Sequence, residues 1–485
     1  MYTIPEPLLF EKSSPGRRSC EIEMAPTPQF DAPAIFGARF RGTINGMPEV
    51  SEVDVIRHFT RLSRMNLAVD LGLYPLGSCT MKYNPKLNEW AARLPGFANL
   101  HPNAPDAAAQ GALAAQYELL ECLKIITGFA SGTLQPAAGA QGELTGILLI
   151  HAYHSSRKDH ARNTILIPDS AHGTNPSSAA LAGYKVEAVP SAKDGTVDID
   201  ALKTKMGPHV AGLMLTNPNT LGIFERRIHE IAQVLHDGGG LIYMDGANMN
   251  ALLGAARPGD MGIDVMHLNL HKTFTTPHGG GGPGSGPVMC VDSLTPFLPV
   301  PVVTRDGSGH YRRESNRPGS IGKVHAFQGN FGMHVRALAY ILALGADGIR
   351  ESGANAVLNA NYLRVRLTGT LNLPIDSPTL HEVIFNDEGL PNNITTLDLA
   401  KRLIDYGFHP PTIYFPLVVK GAIMIEPTET EPKEELDRFV DAIKAIVKEA
   451  ADQPNTIRQA PHTTPVGRLD EVKAARVPKL RWNAG

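Results

Sequence analysis

The chain has little cysteine: four residues in 485 (Cys20, Cys79, Cys122, Cys290), with no CxxC pair. That excludes a disulfide framework and a structural zinc site of the Cys-pair kind. Neither sign of charge is in excess. The formal net charge is −3, so neither a basic nucleic-acid surface nor an acidic, solvated tail is indicated. No run approaches the roughly 18 apolar residues of a membrane-spanning helix. Residues 1–18 carry Pro5, Glu6 and Glu11 where a secretory leader needs an apolar stretch. Low-complexity tracts and internal repeats are lacking. The expectation is a soluble, cytoplasmic protein with no membrane and no nucleic-acid partner.

What is there is a globular composition. Hydrophobic residues make up 42% and charged residues 19%, enough for a sizeable core. Gly (47) and Pro (38) are frequent without a collagen-like period, which predicts many specific turns. Residues 1–60 read as an extended arm and a first helix, the helix opened by the capping box Ser51-Glu52-Val53-Asp54. From about residue 110, short apolar runs at 164–167, 186–189, 210–215, 241–244 and 265–268 alternate with helical stretches. That is the pattern of an α/β fold with a mostly parallel sheet. Such sheets bind ligands at the carboxyl ends of their strands. The large unit spans 61–335. Residues 336–452 read as a smaller α+β unit, with helices at 335–345, 355–367, 395–406 and 432–449 and strands at 381–385 and 422–425. Residues 453–485 read as a coil tail.

Several strand-end motifs can carry chemistry. Lys272 follows the run 265–268 and precedes the small-residue loop 279–286. An amine anchored by a strand and open on one side suits imine formation. A surface lysine beside a flexible loop would give the same local pattern. Asp245 ends the run 241–244. An Asp and a Lys in this order are the pair that pyridoxal phosphate (PLP) needs, one to keep its pyridine nitrogen protonated and one to bind its aldehyde. Helix capping is the plainer role for such an Asp. The loop 135–142, centred on Ala138, Gly139 and Ala140, precedes a helix. Its backbone N–H groups suit a phosphate, or it is a tight turn. It matches neither a Walker A loop nor a dinucleotide fingerprint. His172 follows the run 164–167 and can stack on a planar ring or serve structure alone. Asn217, in Thr216-Asn217-Pro218-Asn219-Thr220, can bond a phenolic oxygen or a carboxylate, or simply make the turn. His267 and His271 are four apart, but in a strand-like run they stand well separated, and no H-E-x-x-H occurs. No metal site is expected.

In order, these pieces resemble the glycine dehydrogenase (decarboxylating) family, the P-protein of the glycine cleavage system, and within it subunit 2. The resemblance rests on Leu76-Gly77-Ser78-Cys79-Thr80-Met81-Lys82-Tyr83-Asn84-Pro85, on 136–142, 170–176 and 244–248, and on His271-Lys272-Thr273-Phe274 running into the glycine-rich stretch to 284. Gly329-Asn330-Phe331-Gly332 and 464–471 extend it over nearly the whole chain. It implies a fold-type I PLP-dependent transferase (aspartate aminotransferase-like), with a large, mostly parallel sheet domain holding PLP and a smaller C-terminal α+β domain. It implies Lys272 as the cofactor lysine, Asp245 as the pyridinium partner and His172 as the stacking group. Ala138, Gly139 and Ala140 would lie near the phosphate and Asn217 near the ring or substrate. Asn248 and His271 would complete the site.

The implied activity is that of glycine dehydrogenase (aminomethyl-transferring). Glycine is decarboxylated, and its aminomethyl group passes to the lipoamide arm of the carrier H-protein. A separate subunit 1 is implied, two of each subunit, since 485 residues leave no room for the other half of the long single-chain form. Another PLP enzyme of this fold, a desulfurase or an aminotransferase, and a scaffold subunit without cofactor are the alternatives. The sequence lacks an evident mobile catalytic Cys loop for a desulfurase. Cys79 invites a redox role, a buried thiol in a tight loop being the plainer one.

Overall fold

The computed structural model describes residues 5–20, 28, 30–42, 46–278 and 284–482. The glycine run 279–283 lies outside the described residues. The apolar runs form a seven-stranded sheet: β1 (Ser131–Thr133), β2 (Thr164–Pro168), β3 (Lys185–Val189), β4 (Val210–Thr216), β5 (Leu241–Gly246), β6 (Val265–Leu268) and β7 (Val288–Cys290). Their order is β1-β7-β6-β5-β4-β2-β3. β3, β2, β4, β5 and β6 run parallel, and β7 is antiparallel to both neighbours.

Both faces of this sheet are covered, so successive side chains are buried on opposite sides. Leu166, Leu213, Leu215, Ile242, Met244 and Leu268 join Leu119, Leu123 and Ile231 on one face. Ile165, Ile167, Met214, Tyr243 and Val265 join Ile147, Leu149 and Ile150 on the other. The second face carries the helix Gly139–Ser156. It lies unusually close to β5 and β6, because two of its residues lack side chains at the contact. A Cβ on Gly142 would stand 2.7 Å from the Gly286 carbonyl oxygen and 2.9 Å from the His267 Cβ. One on Gly146 would stand 2.5 Å from the Tyr243 ring.

A hairpin, β8 (Val302–Arg305) with β9 (Tyr311–Glu314), follows the large sheet. The smaller sheet is antiparallel: β10 (Val383–Asn386), β11 (Thr412–Ile413) and β12 (Ala422–Ile425), in the order β10-β12-β11. Phe385, Ile423 and Ile425 pack there with Leu363, Leu399, Leu403, Phe439 and Ile443 from the helices. The helices Glu52–Ser63 and Thr396–Asp405 start at capping boxes, Ser51 with Asp54 and Thr395 with Asp398.

Three expectations need correction. The helices expected at 335–345 and 355–367 form one run, Phe331–Leu367, broken at Gly345, whose φ of 61° is left-handed. The tail is not all coil, since it contains the helices Pro454–Gln459 and Glu471–Arg476. The strand expected at 381–385 starts at Val383, which leaves His381 and Glu382 in the connection before it. Arm and tail meet, with Phe10 stacked on Trp482 at 5.0 Å. Among the described residues, no helix is long and apolar enough to cross a membrane.

The segment 76–82 ties the two units together. Leu76 bridges to Ile425 of the small sheet. The buried Lys82 ammonium donates to Glu429 (2.6 Å) and to the Thr273 carbonyl (2.7 Å), beside Lys272. Gly146→Val tests the close helix contact. It is expected to destabilise the chain by roughly 1–3 kcal/mol through overpacking, read as a lower urea midpoint.

Candidate active site

The carboxyl ends of β2, β4, β5 and β6 share one edge of the sheet, and a cavity of about 200 Å³ opens there. Lys272 lines it, on the one-turn helix Leu270–Thr273 that follows β6. Asp245, at the end of β5, faces it and is buried. Register sets this meeting: Asp245 pairs with His267 across β5 and β6, and with Thr216 across β4 and β5.

Behind the cavity runs a buried chain of polar groups. Asp245 Oδ1 accepts the Ala247 N–H at 2.9 Å and lies 3.6 Å from His267 Nε2. The other ring nitrogen, Nδ1, meets the Tyr243 hydroxyl at 2.5 Å. On the opposite side the Asn175 amide is oriented to donate to Asp245 Oδ2 (3.2 Å) and to Glu143 Oε2 (2.9 Å). Glu143 also accepts the hydroxyls of Thr174 (2.8 Å) and Ser178 (3.3 Å). Burial, and then the Asp245 charge, push the Glu143 carboxyl up to about 7. Burial holds His267 below the usual imidazole range, against the pull of Asp245. Burial thus disfavours charge on both neighbours of Asp245, Glu143 and His267.

The expected residues are placed unevenly. Lys272, Asp245, His172, Gly139, Ala140, Asn248 and His271 all line the cavity. His172 sits on its open side, with Nδ1 3.0 Å from the Thr174 hydroxyl and its ring edge-on to Phe415 of the small unit. Asn248 donates to the Pro218 carbonyl at 2.9 Å, which fixes the floor. His271 accepts the Ser285 N–H at 3.2 Å, and burial pushes it down to about 3. It is a neutral group that pins the loop after Lys272. Ala138 and Asn217 do not line the cavity. Ala138 accepts the Gly142 N–H and starts the helix. Asn217 is fully buried, and its Oδ1 accepts the Glu225 N–H at 3.0 Å.

Reading the sequence misses Glu143, Asn175 and Ser78 as site groups; it names Thr216 and Thr220 only within the turn around Asn217, and His267 only as a metal ligand. Glu143 had a signal: a carboxylate inside the otherwise apolar stretch 142–150. Asn175 and His267 had none, because their roles depend on which strands become neighbours. Cys79 is half-buried, and burial pushes its thiol up, which disfavours the reactive thiolate.

The residues present fit PLP. The first N–H groups of the helix Gly139–Ser156 have no intrahelical acceptor, as at any helix start, and they face the cavity at Gly139 and Ala140. A Cβ on Gly139 would stand 2.5 Å from Asn269 Oδ1, so a side chain there would fill the cradle. That Asn269 oxygen is buried without a partner, as are the hydroxyls of Thr273, Thr276 and Ser285. A primary amine, a buried carboxylate and a phosphate cradle thus line one cavity.

Comparison with known proteins gives consistent results. The family described as "Glycine dehydrogenase, C-terminal domain" matches residues 352–463, and "Aminotransferase class-V" matches 146–281. A probable glycine dehydrogenase (decarboxylating) subunit 2 of Caldanaerobacter subterraneus is 58% identical over 90% of each chain. Its namesake in Methylococcus capsulatus is 54% identical over 98% of each. A crystal structure of glycine decarboxylase (P-protein), in inhibitor-bound form, is similar over 88% of this chain and 100% of its own, with TM-score 0.72 and 20% identity. A cysteine desulfurase from Escherichia coli reaches TM-score 0.61 at 16% identity over 78% and 95%. These structures show the fold: that of fold-type I PLP enzymes, with a large, mostly parallel sheet.

The elevated Glu143 carboxyl makes a prediction about stability. Its folded value lies above the unfolded one, so its protonated form contributes stability fully below about pH 4.5. That contribution is lost as pH rises through about 7. Glu143→Gln, which cannot ionise, is expected to be more stable than the parent at pH 8, by roughly 3 kcal/mol. The difference should vanish near pH 4.5 in urea titrations of the cofactor-free chain.

Proposed function

The chain belongs to the glycine dehydrogenase (decarboxylating) subunit 2 family, and from that premise we propose a role for each group in the cavity. It is a PLP-dependent enzyme of glycine cleavage, decarboxylating glycine. Its relatives are named as subunit 2, which implies a partner subunit 1. The proposal adds an assembly with two of each subunit, lipoylated H-protein as the acceptor of the aminomethyl group, and work in the cytoplasm. It takes residues 61–335 as the cofactor domain, 336–452 as the smaller domain, 1–60 as arm and first helix and 453–485 as the tail.

The observation that carries the reading is the convergence of Lys272 and Asp245 with the start of the helix Gly139–Ser156 on one cavity. Lys272 would bind the cofactor aldehyde. The N–H groups of Gly139 and Ala140 would hold its phosphate, with Ala138 setting the helix start and Asn217 shaping the turn beside the floor. Asp245 would keep the pyridine nitrogen protonated. When bound, PLP supplies the electron sink that lets a carboxyl group leave as CO₂.

The chain's own groups do the rest. Glu143, raised by burial, puts less negative charge beside Asp245, and His267 offers its Nε2 side. Asn175 bridges the two carboxyl groups and fixes the rotamer of Asp245. His172, held by Thr174, would cover the exposed face of a planar ring and keep bulk water off it. Asn248 ties the end of β5 to the turn after β4 through the Pro218 carbonyl, and His271 holds the loop at Ser285. Besides holding the cofactor, Lys272 would offer an amine that can accept or return a proton within the cavity. A scaffold role is disfavoured, because a chain without cofactor has no use for a buried carboxylate aimed at an open amine.

The test is exchange of labelled CO₂ into glycine by the two-subunit complex with lipoylated H-protein. Lys272→Ala is expected to lose roughly a thousandfold or more. Asp245→Ala is expected to lose roughly a hundredfold or more. Exchange that survives Lys272→Ala would contradict the assignment. Desulfurase activity on cysteine without any glycine exchange would favour the other branch of this fold.

A further inference from the structure

A second buried acidic cluster lies on the other side of Lys272, built from the small domain. His381 and Glu382 precede β10, and Glu426 follows β12. All three side chains are fully inaccessible, with relative exposure of 0%. They bring one nitrogen and two carboxyl oxygens within 4.8 Å of one another. Both ring nitrogens of His381 and Oε1 of Glu382 have no hydrogen-bond partner.

The rest of the cluster is committed. Glu382 Oε2 accepts the Ser78 N–H at 2.9 Å. Glu426 accepts the Thr80 N–H at 2.9 Å and the Thr80 hydroxyl at 2.5 Å, with the Asn250 amide at 3.3 Å. Ser78 and Thr80 hold left-handed backbones, φ 62° and 50°, that non-glycine residues adopt only at a cost. The two carboxyl groups thus fix a strained segment, and Ser78 of that segment lines the same cavity as Lys272.

Charge balance decides what the cluster does. Among the described residues, no Lys or Arg is ion-paired with Glu382 or Glu426. Lys82, the nearby buried ammonium, is taken by Glu429. The positive charge that acts on Glu382, Glu426 and His381 alike is Lys272, which also acts on Cys79. Glu429 adds a further negative charge on Glu426. Burial, together with the neighbouring negative charges, raises both glutamates, and burial holds His381 neutral, pushed down to about 3.

We propose that Glu382 and Glu426 share a single proton and that their one remaining carboxylate charge is the buried counter-charge of Lys272. Two fully buried carboxyl groups this close, with no Lys or Arg ion-paired to either among the described residues, hold one charge between them at less cost than two. The Ser78 N–H bond to Glu382 ties the pair to the wall of the cavity that Lys272 lines. That charge favours the ammonium form of the lysine, and its removal favours the neutral amine that bonds to an aldehyde. A divalent cation would use the same donor atoms. It would lie in the field of the Lys272 ammonium, and two of the four carboxyl oxygens are already held by backbone N–H groups.

The proposal rests on Lys272 being the cofactor lysine, and its test separates the two claims. Infrared difference spectra are taken of the full chain assembled with its partner subunit, before loading with PLP, at neutral pH. Parent minus Glu382→Gln, and parent minus Glu426→Gln, are each expected to show the loss of one protonated-carboxyl band. The Glu143 signal is common to both and cancels. The rate at which PLP reacts with Lys272 is then followed by peptide mapping. It should stay within about twofold in either single variant and rise about tenfold in the double Gln variant, a shift of about one unit in the amine's titration.

Three results would overturn the proposal: no protonated-carboxyl band lost in either difference, a stoichiometric divalent metal in the purified protein, or unchanged Lys272 reactivity in the double variant. If the double variant does not fold, the single-variant spectra decide. A cofactor adduct mapped to another residue would sink the cofactor reading while the infrared result still judged the shared proton.

Discussion

The close approach of one helix to the central sheet is the constraint on which the site depends. Gly142 and Gly146 let the helix Gly139–Ser156 lie against β5 and β6 at a distance no side chain would permit. That brings free N–H groups at its start to the strand ends carrying Asp245 and Lys272. A phosphate cradle, a carboxylate and an amine come together because three elements share one contact. A bulkier residue in that contact would move the cradle away from the amine, whatever happened to the rest of the fold.

The second organising feature is how buried charge is divided. Two acidic clusters flank Lys272, one from the large domain (Glu143, Asp245) and one from the small domain (Glu382, Glu426). In each, burial and neighbouring negative charge raise the titration of a carboxyl group, Glu143 in the first and Glu382 and Glu426 in the second. In the large-domain pair the Asp245 carboxylate has the Ala247 N–H, the Asn175 amide and His267 around it. The small-domain pair clamps the strained segment Ser78–Thr80 and so carries the position of the small domain to the cavity wall. Lys82, joining Glu429 to the Thr273 carbonyl, makes the same connection through a second bond. The two units therefore meet through polar groups at the site and, beside it, through an apolar cluster in which Leu221 and Ile223 pack with Ile384, Val419 and Met424.

Much of this was legible in the sequence, for identifiable reasons. A doubly covered parallel sheet writes continuous apolar runs, so β2, β4, β5 and β6 stood out, and the residues at their ends could be named. Lys272 and Asp245 were candidates from their strand ends, and their order in the chain together with the family resemblance singled them out. The three-residue strands β1 and β7 and the two-residue β11 are too short to write a pattern. Glu143, Asn175 and His267 reach Asp245 through strand order and helix docking, which no local spacing encodes. Asn217 looked like a ligand group because Asn-Pro-Asn is polar and follows a strand, yet its side chain turns inward to cap the Glu225 backbone. His381 and Glu382 were read as part of a strand. Lying just before the strand, Glu382 is free to accept the Ser78 N–H.

The account stands or falls on the identity of the residue that bonds to the cofactor. The direct measurement is borohydride reduction of the PLP-loaded complex, followed by peptide mapping of the pyridoxyl group. The account predicts loss of the visible absorbance and a single adduct on Lys272. A colourless protein after loading with subunit 1 present, or an adduct on any other lysine, would contradict it.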